Sequence, residues 1–240
     1  MAEPARVQKA IANAGLMSRR SAEDAISDNR VTVNGAAARL GDRVDVDVDI
    51  VTLDGIPIPV NPSLETHLLY KPLGVISTVN DPHSRTTVVD LIDTGARLYP
   101  VGRLDADSEG LILLSNDGEL TNRVTHPRYG ITKTYLAMVT SPIRPDQLRR
   151  LTSGIDLEDG PARAKRAHVV ERSQGRTLIQ IVLVEGRNRE IRRMFDAIGH
   201  EIRSLVRTAI GPITDPSLKS GDSRKLTINE IRDLVESGAG

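Results

Sequence analysis

Hydrophobic residues near the N-terminus recur at a helical spacing. Val7, Ala10, Ile11 and Ala14 stand at positions i, i+3, i+4 and i+7, which predicts a short helix with one apolar face. Gly15 follows directly, and we expect it to end this helix in a left-handed cap. Such a helix needs other elements to cover its apolar face.

The next residues predict a second helix and a hairpin. Ser18 is a good N-cap, and Ala22 and Ile26 then fall on one face of the helix that it opens. Two short alternating segments, 31–33 and 50–53, each lead into a tight-turn pair of the Asn-Gly or Asp-Gly type. We therefore expect a small helix-helix-hairpin unit.

A proline-rich segment divides the chain. Residues 56–62 contain three prolines, which predicts a stiff linker between a small domain, 1–62, and a larger one, 63–240. In the larger domain strand patterns outnumber helical ones and do not alternate strictly with them, which favours an α+β fold with a mixed, largely antiparallel sheet. Strands are expected at 68–70, 111–114, 131–139, 163–170, 178–184 and 204–210, and helices at 87–92, 118–125, 145–152, 188–198 and from 227 onward.

Composition removes several classes of chemistry. The chain has no cysteine, which excludes disulfides, thiolate nucleophiles and cysteine-based zinc sites. The five histidines are scattered without ligand spacing, so we predict no metal site. Aromatic residues are scarce, and a tyrosine in a polar cleft becomes a candidate for work other than packing. With no apolar signal core and no long apolar run, we expect a cytoplasmic protein that does not cross a membrane.

Charge is balanced overall but distributed unevenly. The formal net charge is zero, whereas nucleic-acid-binding proteins usually carry a basic excess. In the N-terminal unit, however, Arg6, Lys9, Arg19 and Arg20 are separated from the acidic residues, most of which lie in the segment 42–54. One face can therefore bind phosphates while the total stays neutral.

The segment 101–114 carries the strongest candidate chemistry. It places Arg103, Asp105, Asp107 and Glu109 between glycines and directly before an apolar strand. A loop that leads into a buried strand is a rigid support for a catalytic carboxylate. Taken alone, the same composition also fits an ordinary solvated acidic loop.

This segment resembles the active-site motif of pseudouridine synthases. Gly102-Arg103-Leu104-Asp105 is followed by an acid, a glycine and an aliphatic strand, as in that family. The order of the other segments is similar to the RsuA/RluB branch of bacterial ribosomal RNA pseudouridine synthases, although Glu190 stands where Gln is expected more often. The matching segments are 115–120, 126–129, 133–135 and 185–195, and segments 6–9, 15–20 and 30–35 resemble the small RNA-binding module first known from ribosomal protein S-four.

The resemblance implies roles for individual residues. Asp105 is then the catalytic carboxylate, which either attacks the sugar or removes a proton from it. Arg192, or else Arg187, pairs with it. Tyr135 stacks on the target uracil, although an ordinary core tyrosine is the alternative, and Arg103 helps to extrude the base. Leu104 and Asn188 are also expected at the substrate, and Arg6, Lys9, Arg19, Arg20, Arg30 and Asn34 on the RNA.

The implied reaction converts a uridine into its isomer, so it needs no energy source and no cofactor. The expected partner is ribosomal RNA, and segments 126–129 and 133–135 look more like the large-subunit type, which favours 23S rRNA. We expect a monomer. Two alternatives remain at this point: a non-catalytic RNA-binding factor of ribosome assembly, and a carboxylate-based hydrolase of glycosides or nucleosides.

Overall fold

Two short helices and four short β-pairings form the N-terminal unit of the computed structural model, which describes residues 4–14, 16–58, 64–173 and 175–238. The helices bury faces made mainly of alanine and isoleucine against the rest of the unit, so the unit has its own buried aliphatic core. Its elements are β1 (Ala5–Arg6), α1 (Val7–Asn13), α2 (Arg19–Ser27), β2 (Val31–Val33), β3 (Ala36–Ala37), β4 (Arg43–Val44), β5 (Val51–Leu53) and β6 (Ile56–Ile58).

The helix-helix-hairpin prediction is confirmed with one correction. The Ser18 side chain accepts the backbone N–H of Ser21 at 3.1 Å and so caps α2 as expected. The linker prediction is wrong for residues 56–58, because they pair antiparallel with β5 as strand β6. The expected cap at Gly15 and the rest of the linker, residues 59–62, lie outside the described residues.

The larger unit is built on a sheet with helices packed against it, and the α+β prediction is confirmed. Among the described residues, no helix is both long enough and apolar enough to cross a membrane. The elements of the larger unit are β7 (Thr66–Lys71), β8 (Tyr99–Val101), β9 (Glu109–Ser115), α3 (Gly118–Thr125), β10 (Lys133–Val139), α4 (Pro145–Ser153), β11 (Ile155–Leu157), β12 (Gly160–Ala162), β13 (Arg166–Ser173), β14 (Arg176–Leu183), α5 (Glu190–Asp196), β15 (Ile202–Ile210), β16 (Ser223–Lys225) and α6 (Ile228–Glu236). It also has 3₁₀ turns at Val89–Leu91 and Pro127–Tyr129.

One parallel contact joins the two halves of the main sheet. The strand order is β13-β14-β10-β15-β9-β7-β16, with β8 also paired to β9, and every pairing is antiparallel except β15 with β9. At that junction Arg207 lies opposite Gly110, and a Cβ on Gly110 would stand 2.3 Å from the carbonyl oxygen of Arg207. With a φ of +103°, only glycine fits this position without strain. The junction therefore sets how closely the two halves approach.

The sequence prediction fails at one helix and omits short strands. Within the predicted helix 87–92, only Val89–Leu91 form a 3₁₀ turn, because the preceding backbone pairs with Ile76. The Ile76 N–H donates to the Thr86 carbonyl, and the Ile76 carbonyl accepts the N–H of Val88. Strand β13 begins at Arg166 rather than at 163. Strands β8 and β16 were not predicted, and neither was the small β11–β12 hairpin.

Candidate active site

A cavity of about 240 Å³ lies beside the loop that joins β8 to β9. Asp105 is on this loop, and its side chain is about one-quarter exposed. Tyr135 on β10 lies in another part of the lining, as does the segment that leads into α5. All seven residues predicted to act on the substrate line this cavity: Arg103, Leu104, Asp105, Tyr135, Arg187, Asn188 and Arg192.

Hydrogen bonds fix the backbone on both sides of Asp105. The hydroxyl of Ser77 donates to the Leu104 carbonyl at 2.7 Å and accepts the Leu104 N–H at 3.1 Å. The Ala106 carbonyl accepts the N–H of Gly74 at 2.7 Å, and the Asp105 carbonyl accepts the N–H of Ser108 at 3.0 Å. The loop is therefore set before any substrate arrives, which is what a catalytic carboxylate requires.

Arg189 is the arginine closest to the Asp105 carboxylate, at 3.9 Å between Nη1 and Oδ2. The expected partner, Arg192, instead contacts Asp107, with Nε at 3.3 Å from its carboxylate and Nη2 donating to its backbone oxygen at 2.7 Å. The prediction that Arg192 or Arg187 pairs with Asp105 is thus corrected. Because α5 follows Arg189 directly, a left-handed φ of +47° at this residue turns the chain into the helix.

A fully buried lysine lies near the acidic loop. Lys71 is 0% exposed, and its ammonium group donates to the carbonyls of Pro72 at 2.8 Å and Val75 at 2.9 Å. Burial lowers its pKa to about 8, while the charges of Asp105 and Asp107 act in the opposite direction. These carboxylates therefore stabilise a cation that has no salt-bridge partner among the described residues.

Arg207 connects Tyr135 to the catalytic loop. It is 4% exposed, and its Nε donates to the Leu111 carbonyl at 2.6 Å. Its Nη1 lies 3.5 Å from both the Arg103 carbonyl and the Tyr135 hydroxyl, and its guanidinium carbon lies 5.9 Å from the centre of the Tyr135 ring. The second terminal nitrogen, Nη2, is buried without a partner among the described residues.

A second buried lysine, Lys133, fixes the backbone next to the segment that leads into α5. Lys133 donates to the carbonyls of Val124 at 2.8 Å, Ile131 at 3.0 Å and Val184 at 3.3 Å. Burial is the main reason that its pKa falls to about 8, and the nearby charge of Arg207 adds to the effect. The lysine thus ties the end of α3 to the end of β14, where the segment that lines the cavity begins.

Arg187 holds the β11–β12 hairpin against the site. Its guanidinium donates to the Asp159 carbonyl at 3.2 Å, the Gly160 carbonyl at 3.1 Å and the Pro161 carbonyl at 2.8 Å. Arg193 adds a two-pronged ion pair with Asp159 at 2.7 and 2.9 Å. Most of the donors of Arg187 are therefore engaged within the protein, which favours a supporting role at the cavity rim.

Glu190 is a buried acid in the same segment. It is 3% exposed, and its Oε2 accepts the backbone N–H of Arg187 at 3.0 Å, while Oε1 has no hydrogen-bond partner among the described residues. Burial, with the neighbouring Glu185, raises its pKa to about 7. The positive charge of Arg187 acts in the opposite direction but is the smallest of these effects.

The residues predicted to bind RNA divide into two groups. Arg6, Lys9, Arg19 and Arg20 are exposed, and within the described ranges none of them forms an ion pair. Arg30 and Asn34 are engaged in structure instead. Arg30 forms a two-pronged ion pair with Asp54 at 2.7 and 2.8 Å, and the Asn34 amide donates to Asp49 and accepts the N–H of Ile50.

Sequence reasoning missed four cations of the site: Lys71, Lys133, Arg189 and Arg207. Arg207 had a readable signal, because it occupies an inward position of an alternating strand between Leu205 and Ala209. An arginine on a core-facing position needs a partner there, and this one lies beside the cavity. Within the described part of the chain, no three His, Cys, Asp or Glu side chains lie close enough together to hold one metal ion.

Residues 65–197 match the RNA pseudouridylate synthase family, and residues 5–50 match the S4 domain. The chain belongs to the RNA pseudouridylate synthase family. It is 43% identical over 234 residues to the ribosomal large subunit pseudouridine synthase B of Bacillus subtilis, covering 95% of each chain. It is 44% identical over 237 residues to an uncharacterized RNA pseudouridine synthase of Mycobacterium tuberculosis, covering 97% of this chain and 93% of that one.

A solved structure supports the same family. A crystal structure of a pseudouridylate synthase superposes with a TM-score of 0.64 at 29% identity, covering 95% of this chain and 99% of the other. The resemblance found in the sequence is therefore confirmed, and the protein is a pseudouridine synthase, an isomerase. Nothing in these comparisons favours the non-catalytic alternative, and the family assignment replaces the hydrolase hypothesis.

The buried acid of this pseudouridine synthase makes its stability depend on pH. Because the folded-state pKa of Glu190 lies above the unfolded value, the folded protein keeps a proton that the unfolded chain loses between pH 4.5 and about 7. Stability therefore falls as pH rises through this window. We predict that Glu190→Gln, which carries no titratable group, unfolds at the same temperature as the wild type near pH 4.5 but is more stable at pH 8, by roughly 1–3 kcal/mol.

Thermal unfolding followed by circular dichroism at both pH values measures this difference. The matched control is Glu201→Gln, because Glu201 has a two-thirds exposed side chain and its substitution should change little at either pH. Equal melting temperatures for Glu190→Gln and wild type at pH 8 would contradict the assignment of Glu190 as a buried, proton-retaining acid.

Proposed function

We propose that this pseudouridine synthase converts one uridine of large-subunit 23S ribosomal RNA to pseudouridine, with Asp105 as the catalytic carboxylate. The observation that carries the proposal is the position of Asp105 on a fixed loop, facing a cavity that Tyr135 also lines. Relatives at 40–43% identity named ribosomal large subunit pseudouridine synthase B support the choice of substrate. The enzyme is further proposed to act as a cytoplasmic monomer without a cofactor.

The reaction requires one correctly positioned carboxylate and few other groups from the active site. The N1–C1′ bond of uridine breaks, the base turns and C5 bonds to C1′. The proton on C5 then leaves and N1 takes up a proton, so the product is an isomer of the substrate. Asp105 can serve either as a nucleophile at C1′ or as the acceptor of a sugar proton, and both roles need an ionised oxygen near the ribose. The guanidinium of Arg189 places a positive charge 3.9 Å from the Asp105 carboxylate.

The cavity fits one base that has left its stack. A uridine within a helix or stacked strand cannot reach Asp105, so the target nucleotide must be extruded, at a cost of roughly a few kcal/mol. Tyr135, held by Arg207, offers its ring to the extruded uracil, and Leu104 and Asn188 line the remaining wall. Arg103 has an exposed side chain and is proposed to assist the extrusion.

The N-terminal unit supplies a second contact with RNA. We propose that residues 1–62 form a separate RNA-binding domain, of which the S4 match covers 5–50. Arg6, Lys9, Arg19 and Arg20 are its proposed phosphate contacts, because their charges are exposed and free of ion pairs within the described residues. Arg30 and Asn34 would act there mainly by shaping the hairpin.

Mapping of pseudouridines in cellular RNA tests the proposed substrate. We expect that deletion of the gene removes one pseudouridine from 23S rRNA, that an intact copy restores it, and that the other pseudouridines stay unchanged. Loss of a site in 16S rRNA alone would overturn the choice of subunit. Loss of no ribosomal site would overturn the proposed substrate.

Substitutions of Tyr135 separate stacking from packing. Base–aromatic stacking is worth roughly 1–3 kcal/mol, so Tyr135→Ala should weaken productive RNA binding about ten- to a hundredfold, whereas Tyr135→Phe should preserve most of it. A tyrosine that served only the core would behave differently, since Ala would lower the melting temperature while each folded molecule kept its rate. Melting temperature, RNA affinity and single-turnover rate of both variants distinguish the two roles.

A further inference from the structure

A second cavity, of about 520 Å³, adjoins the first at Asp105. It lies between the segment 76–82 and the catalytic loop. Arg103, Leu104 and Asp105 line both cavities. A group bound in the second cavity would therefore lie next to a uridine bound in the first.

The wall of the second cavity is attached to the catalytic loop itself. Ser77 exchanges two hydrogen bonds with the backbone of Leu104, at 2.7 and 3.1 Å. Ile76 is held by backbone hydrogen bonds to Thr86 at 3.0 Å and to Val88 at 2.9 Å. A ligand in this cavity would therefore meet a surface whose shape is already set, with little ordering cost.

The carboxylate of Asp81 is fully engaged in hydrogen bonds that stabilise this wall. Its carboxylate accepts hydrogen bonds from Nε and Nη2 of Arg85, at 3.0 and 2.6 Å, and from the backbone N–H groups of His83 and Arg85, both at 3.1 Å. These contacts hold its pKa well below the usual range, so it is ionised but already neutralised by Arg85. Its charge is screened from an approaching phosphate, and its oxygens are unavailable to a ligand.

The side chain of Asn80, in contrast, is available to hydrogen-bond with a ligand. Of the polar side chains that line this cavity in the described part of the chain, those of Asn80, Arg103 and Asp105 make no hydrogen bond within the protein, and Asp105 is already proposed to act on the target uridine. An asparagine amide places a donor beside an acceptor, the pattern that pairs with the edge of a nucleobase. Ile76 and Pro82 add apolar surface to the same wall.

We propose that the second cavity binds the nucleotide next to the target uridine. Its base would rest against Ile76 and Pro82 and pair along its edge with Asn80, and Arg103 would lie near the phosphate between the two nucleotides. Single-stranded RNA is recognised in this way, through splayed bases with exposed edges. The inference rests on the proposed function, and it makes Asn80 a determinant of which uridine is chosen.

The test combines a protein variant with a change in the RNA. The probe is an RNA fragment centred on the uridine identified by mapping, in three forms: intact, abasic at the 5′ neighbour, and abasic at the 3′ neighbour. The apparent second-order rate constant, equivalent to kcat/KM, is measured under single-turnover conditions for wild type, Asn80→Ala and Asn122→Ala. Asn122→Ala is the control, because it removes an exposed asparagine of α3. Turnover of the intact fragment by the wild type tests the proposed function separately.

We expect Asn80→Ala to lower kcat/KM on the intact fragment by roughly five- to a hundredfold, the value of one good pair of base contacts. One of the two abasic fragments should slow the wild type similarly, yet should not slow Asn80→Ala any further. Asn122→Ala should match the wild type on all three. Equal rates for Asn80→Ala and wild type on the intact fragment, or losses that multiply at both neighbours, would overturn the proposal while leaving the proposed function standing.

Discussion

The active site depends on the burial of positive charge next to an acidic loop. Lys71 and Arg207 are almost completely removed from water, and their hydrogen-bond partners are mainly backbone carbonyls. A buried charge is costly unless other groups compensate for it. The carboxylates of Asp105, Asp107 and Glu109 supply that compensation for Lys71. The acidic loop and the buried cations stabilise each other, and this keeps the Asp105 carboxylate close to the sheet.

Buried cations also connect segments that are distant in sequence. Arg207 joins the catalytic loop to Tyr135, and Lys133 joins α3 and the segment after it to the end of β14. Arg207 lies at the junction between β15 and β9, and Gly110 permits the close approach of these two strands. A cavity assembled from several parts of the chain can thus hold the geometry that one carboxylate needs for catalysis.

The sequence was sufficient for most of the regular elements and for seven of the residues that line the cavity, but not for Arg189, which also lines it. Periodicity located the main helices and most long strands, because each buries one face, and the ordered motifs identified the family. It failed at 87–92, where contacts with Ile76 override a helical pattern, and at the three-residue strands of the larger unit, which are too short to show a period. Which arginine lies nearest Asp105 could not be predicted, since Arg187, Arg189 and Arg192 share one short segment and tertiary contacts decide among them.

The central claim is that Asp105 performs the chemistry, while Asp107 pairs with Arg189 and Arg192 to hold the site together. Tritium release from RNA labelled at C5 of the target uridine, measured in single turnover, tests it most directly. Asp105→Asn should bind RNA with nearly wild-type affinity and release no tritium, whereas the matched Asp107→Asn should turn over measurably, though more slowly. Substantial tritium release by Asp105→Asn would contradict the account.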